Sequence, residues 1–230
     1  NGLPIANDPS LAQVQMLEDL WRDVATDPPV RGGTLRTLVS ILRGRPGFDT
    51  GERLRKMIEE NVPVVDLGNT LIPIHVGTTA ASTGRLCWWS EGPSVDILCA
   101  SAAIPGVFPA VPLTDGDLHM DGGVLSNLPL RYAVTLQPTR LVVFDVAADF
   151  LPPEKQTALT LMLTGFRAAT TELTRQEWLD VPVDIEVLHL ELPDPSGGLD
   201  LDFGDTDLLF EEGAGAARAA IAASGWLSPD

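Results

Sequence analysis

The sequence predicts an α/β fold of three layers (α/β/α), with helices on both faces of a mostly parallel central sheet. Three observations carry this expectation. Helical and strand-like periodicities alternate along the chain. Leu141 to Val146 is an unbroken apolar run, typical of a strand buried on both faces of a parallel sheet. No internal repeat or long polar linker divides the chain, so residues 1–230 read as a single domain.

The elements follow in order. Asp8-Pro9 supplies an N-cap and a first-turn proline for a helix carrying Leu11, Val14, Leu17, Trp21 and Val24 at helical spacing. A second helix, Thr34 to Arg43, stops at Gly44 with Pro46 behind it. A third begins at Asp49, with Glu52 in capping-box position, and turns Leu54, Met57 and Ile58 inward. From Leu71 to Thr78 the residues become β-branched and apolar, and a turn at Thr83-Gly84 leads to a partner strand, Arg85 to Trp89. Ser94 caps a short helix ending near Ala103. Val111–Leu113 and Leu118–Met120 flank Thr114-Asp115-Gly116-Asp117, a hairpin turn whose second arm delivers Asp121. Beyond Leu141–Val146, a helix from Glu154 to Trp178 precedes a strand at Ile185–Leu190. A last helix, capped by Asp205 and closed by Gly225, fills the alanine-rich tail.

Composition narrows the classes of function. With 44% apolar and 20% charged residues the chain can bury a sizeable core. Fifteen basic against 32 acidic side chains give a net charge of -17, which excludes a nucleic-acid or anionic-membrane surface. Cys87 and Cys99 have neither disulfide nor zinc spacing; they read as free thiols, and the cytoplasm is the expected location. The longest uncharged stretch, Ile97 to Thr114, contains Pro105, Pro109 and Pro112 and cannot be a transmembrane helix. The chain opens on Asn1 rather than Met and carries no targeting signal there, so Asn1 is expected not to be the native start.

The chemistry concentrates in one block: Ala100-Ser101-Ala102-Ala103-Ile104-Pro105-Gly106-Val107-Phe108-Pro109, then Asp121-Gly122-Gly123, then Asn127-Leu128-Pro129. Asp-Gly ordinarily marks a turn. The hairpin turn is already accounted for by Asp115-Gly116, so Asp121-Gly122-Gly123 at the far end of the arm needs another reason. Paired glycines let a loop pass close to another backbone or a ligand and hold an acidic group at the strand's end.

With these motifs in this order, the chain resembles the patatin-like phospholipases and acyl hydrolases. Ala-Ser-x-Ala-x-Pro-x-x-Phe-Pro, Asp-Gly-Gly and Asn-x-Pro look like the second half of that family's catalytic domain. A looser likeness runs from Leu20-Trp21-Arg22 through Thr78–Gly84 to Asp202-Phe203-Gly204. The resemblance implies a Ser–Asp dyad with Asp121 as general base, and lipid or another carboxylic ester as substrate. It also implies an acyl pocket near Ile104, Val107 and Phe108, and no more than transient contact with a membrane surface. The family's nucleophile sits in G-x-S-x-G after a glycine-rich oxyanion loop. Neither occurs between Asn1 and Asp230, so the domain is expected to be truncated at its N-terminus, lacking a strand, the oxyanion loop and the elbow. The alternative is a non-catalytic relative that binds lipid or protein on the same scaffold.

Other candidates fit blander roles. Ser101 lacks a glycine-flanked elbow and reads as a helix-end hydrogen-bonding residue. His75, His119 and His189 read as hydrogen-bonded strand histidines, with His119 on the same strand face as Asp121. Trp88 and Trp89 read as strand packing. Asp200, Asp202 and Glu211 match positions one, three and twelve of a calcium loop, but Asp205 stands where that loop needs glycine. The acidic tract therefore reads as a solvated face, and no metal or cofactor is expected.

Overall fold

The turn at Thr83-Gly84 forms as its residues dictate. In the structure, a computed structural model describing residues 1–28, 49–146, 158–192 and 205–226, strands β1 (Val76–Ala80) and β2 (Arg85–Trp89) meet through Gly84, whose φ is 62°. They pair antiparallel with Thr78 opposite Cys87. The second hairpin joins β3 (Val111–Pro112) to β4 (Leu118–Asp121), turning through Gly116 at φ 86°. β1 and β4 are also antiparallel neighbours, with Thr78 opposite Asp121, so the sheet order is β2-β1-β4-β3. The first strand starts later than Leu71. Ile72 instead donates its N–H to the carbonyl of Ala6 at 2.8 Å, tying that segment to the first helix.

Helix starts depart from the sequence reading for local reasons. Helix α1 spans Gly2–Asn7, and Asp8 closes it by donating its backbone N–H to Pro4. Ser10 therefore caps α2 (Leu11–Thr26), its hydroxyl accepting from the Gln13 N–H at 3.2 Å. Leu17 and Val24 are buried, whereas Leu11 is 82% exposed, so the apolar face of α2 turns inward only from its second turn. Asp49 does not cap α3 (Glu52–Asn61) directly. Its side chain takes the Gly51 N–H at 2.9 Å, and left-handed Gly51, φ 74°, sets the helix off at Glu52. Helix α4 spans Ser94–Ser101 with Pro93 at the cap position, and the Ser94 hydroxyl is buried without making a cap bond. Leu3, Leu67, Val76, Ile97, Ala100 and Leu113 form the core between these helices and the sheet. The expected helix Thr34–Arg43 lies outside the described residues.

The described residues from Ser126 onward belong to a second compact unit. It contains α5 (Leu130–Thr135), β5 (Arg140–Asp145), α6 (Ala158–Leu179), β6 (Glu186–Glu191) and α7 (Thr206–Ser224). β5 and β6 pair parallel across a crossover that contains α6, and Leu128, Leu130 and Val143 form their own cluster. Left-handed Gly225, φ 70°, closes α7 as its sequence position predicts.

The α/β content stands, but the mostly parallel sheet does not describe these residues. Among them only β5 and β6 are parallel; in the four-stranded sheet β1–β2 and β3–β4 are antiparallel because their hairpin turns are too short for a crossover, and β1–β4 is antiparallel as well. Nor is β5 covered on both faces: Val143 is buried, while Val142 and Phe144 are 49% and 64% exposed. Among the described residues no helix is long and apolar enough to cross a membrane.

Candidate active site

Asp121 stands where β4 ends and a 3-10 turn, Gly122–Val124, begins. Four hydrogen bonds define its position. Its N–H donates to the carbonyl of Ala103 at 3.0 Å, and its carbonyl accepts the hydroxyl of Thr79 at 2.9 Å. Its carboxylate Oδ1 accepts the Gly123 N–H at 2.7 Å, and the Leu125 N–H closes the turn on Gly122 at 3.0 Å. The two glycines do different things. A methyl group on Gly122 would stand 2.5 Å from the carbonyl oxygen of Gly77, so only glycine lets the turn pass over β1. Gly123 provides the N–H that orients the carboxylate.

The electrostatics of this carboxylate are simple. Burial pushes its pKa above the ordinary value near 3.8, and the Gly123 N–H pulls it part of the way back. Charged groups among the described residues do not enter the balance. Asp121 is thus a more basic carboxylate than one on the open surface, held in one orientation by one hydrogen bond.

The Ala103 carbonyl that receives the Asp121 N–H opens the Ile104–Phe108 loop. Val107 and Phe108 are buried with Ala103, and Leu54 of α3 and partly buried Ile104 pack against them. The loop is pinned by the N–H groups of Val107 and Phe108 on the Ile104 carbonyl, at 3.0 and 3.1 Å. Phe108 and Val107 are therefore cluster residues, and Ile104 is the most exposed of the three.

Next to Asp121 lies a polar chain, buried at Thr78 and His119 and reaching the surface at Asp115, that the sequence does not announce. Trp89 Nε1 donates to Thr78 Oγ1 at 2.8 Å, Thr78 Oγ1 lies 2.9 Å from His119 Nδ1, and His119 Nε2 meets both Asp115 oxygens at 3.1 and 3.0 Å. His119 and Thr78 are both 0% exposed. The shared face of His119 and Asp121 is legible from strand alternation, but Thr78 and Trp89 come from other strands and carry no local signal. Ser101 ends α4 and is no elbow, and His75 precedes β1 rather than lying in it. His189 lies in β6, 3.3 Å from Asp145. Trp88 packs over Gly77, as strand packing requires. An open depression of about 840 Å³ lined by Asp66, Trp88, Trp89, Glu91 and Thr114 does not include Asp121. Among the described residues no cluster of His, Cys, Asp and Glu could hold a metal ion; Asp200 and Asp202 lie outside them.

The family model for patatin-like phospholipases matches residues 2–134, more than half of the chain and all of the Asp121 site. The chain belongs to the patatin-like phospholipase family. Relatives include uncharacterized NTE family proteins of Mycobacterium bovis and Mycobacterium tuberculosis, each 32% identical over 100 residues. That match takes in 42% of this chain and 28% of each relative. Patatin-like phospholipases as a family hydrolyse lipid esters, and the matched span contains both the Asp-Gly-Gly turn and the loop that receives its backbone N–H.

Proposed function

We propose that this chain supplies the general base of a serine acyl-ester hydrolase acting on lipid or other carboxylic esters. Asp121 is that base, and the nucleophile is a serine outside these 230 residues, since G-x-S-x-G does not occur among them. The observation that favours this reading most is the state of the Asp121 carboxylate. It is half-buried, oriented by a single N–H and more basic than a surface aspartate. A catalytic base benefits from a pKa raised toward working pH.

In the proposed reaction Asp121 accepts the serine proton as the serine oxygen bonds to the ester carbonyl carbon. Collapse of the tetrahedral intermediate expels the alcohol, which takes the proton back from Asp121. Water then attacks the acyl-serine ester, giving its proton to Asp121; the acid leaves and the serine is reprotonated. The acyl chain lies against Ile104, with Val107 and Phe108 behind it, and the protein meets a membrane surface only transiently. No cofactor enters these steps.

The test is hydrolysis of a short-chain p-nitrophenyl ester. A protein extended to include the serine turns over, and Asp121→Asn lowers its kcat by about 10²- to 10⁴-fold. The 230-residue chain alone gives no turnover. Turnover by that chain surviving Asp121→Asn overturns the assignment, and an extended protein without any activity points to the non-catalytic, lipid- or protein-binding alternative.

A further inference from the structure

Thr78 is the direct cross-strand partner of Asp121, so their Cβ atoms stand about 4.5–5.5 Å apart on one face of the sheet. At that separation a threonine hydroxyl reaches a carboxylate and would ordinarily donate to it. Here it does not: the one hydrogen bond of the Asp121 side chain among the described residues comes from Gly123. The polar chain explains why. Trp89 Nε1 can only donate, so Thr78 Oγ1 accepts from it. His119 Nε2 faces the two Asp115 oxygens at 3.1 and 3.0 Å, and with the ring proton placed there Nδ1 is left as an acceptor. In that tautomer the Thr78 hydroxyl donates to His119 Nδ1, 2.9 Å away.

We infer that His119 keeps the Thr78 hydroxyl proton away from the Asp121 carboxylate, which makes His119 a positioning residue for the proposed base. This rests on reading Asp121 as the general base, but it describes a proton arrangement that is measurable without catalysis. A neutral donor on the carboxylate would stabilise its charged form and make it a weaker base. By accepting that proton, with Asp115 fixing the tautomer, the imidazole leaves the outer carboxylate oxygen for the serine. The neighbouring groups leave this role to His119. β1 has no titratable side chain, and Cys87 is the titratable partner of Thr78 on β2. On α4, Asp96 is held by Arg55 at 2.7 Å and Cys99 is a buried thiol. Asp117 in the hairpin turn accepts from Ser82. None of these contributes to the electrostatic balance of Asp121.

The experiment is an NMR titration of the Asp121 carboxyl carbon in the 230-residue chain, with ring ¹⁵N shifts reporting the His119 tautomer. Three variants accompany the parent. Thr78→Val leaves the Asp121 titration unchanged, because the lost hydroxyl was not donating to it. His119→Phe lowers the midpoint by roughly one pH unit, as the freed hydroxyl turns to the carboxylate. The double variant His119→Phe/Thr78→Val returns it to the parent value. A rise of the midpoint in Thr78→Val overturns the inference, as does a double variant that stays with His119→Phe, or a His119→Phe titration identical to the parent. If His119→Phe does not fold, the Thr78→Val titration and the tautomer decide alone: a proton on Nδ1 in the neutral ring is fatal. Hydrolysis enters none of these readouts, so loss of the Ser–Asp reading and loss of this one are separate results.

Discussion

Gly122 passes so close to Gly77 that a methyl group on it would stand 2.5 Å from the Gly77 carbonyl oxygen and 2.6 Å from its carbon. Backbone cannot yield as a flexible side-chain end would, so the contact makes glycine obligatory where the chain leaves β4. The close pass lets Asp121 end its strand and turn at once, with the Gly123 N–H set against its carboxylate.

Gly122→Ala is accordingly expected to destabilise the protein by about 1–3 kcal/mol, through displacement of β1 or of the turn. Gly165→Ala is the control. That glycine lies exposed within α6 with nothing near its missing Cβ, and alanine there should stabilise by up to about 1 kcal/mol. Denaturant melts of the two variants should move in opposite directions; a neutral Gly122→Ala would mean that the contact is not tight.

The raised pKa of Asp121 has a consequence for stability. A carboxyl that titrates higher when folded than when unfolded holds its proton longer in the native state. Stability therefore falls as pH rises from the ordinary value near 3.8 through the higher folded pKa, and the loss is complete above it. Asp121→Asn removes that loss. The variant should melt higher than the parent at neutral pH, with the gain vanishing in acid below the unfolded value. Thermal melts across this range check the sign, and a lower neutral Tm for Asp121→Asn would contradict it. Together with lost hydrolysis, the gain would mark a site that trades stability for chemistry.

Ser10, not Asp8, caps α2, so the two residues should respond differently to alanine. Ser10→Ala loses the bond to the Gln13 N–H and should cost about 1 kcal/mol. Asp8 contributes its backbone N–H to the end of α1, a bond that Asp8→Ala retains. Equal losses in urea melts would return the cap to Asp8.

Glu177 is 4% exposed, and its Oε2 accepts the Arg131 N–H at 3.0 Å at the start of α5. Glu177→Ala leaves that donor without its partner, a loss of about 1–3 kcal/mol, while Glu177→Gln keeps an acceptor and should lose less. Amide exchange at Arg131 reads the local effect, which should follow the same order.

How far the chain could be read from its residues depended on the range of the forces involved. Gly84, Gly116 and Gly225 each sit at a left-handed position that their neighbours announce, and all three close the element expected of them. The β1–β2 turn and the end of α7 were visible for that reason. Helix starts are less legible, because Asp8 and Ser10 are both competent caps and the end of α1 decides between them. The parallel expectation rests on the apolar run Leu141–Val146 and on helices alternating with strands. It holds for β5 and β6 and does not extend to the hairpin strands, since apolar content does not specify strand direction.

The motif around Asp121 is local chemistry, and the residues alone determined it: an acid, two glycines, a preceding hairpin and the family resemblance that follows. Tertiary structure decided what surrounds the acid. Thr78, Trp89 and His119 come from three strands, and their hydrogen bonds exist only once β1 lies between β2 and β4. Burial of the carboxylate is likewise a property of the packed chain, because desolvation depends on atoms brought near by folding and not on neighbours in sequence.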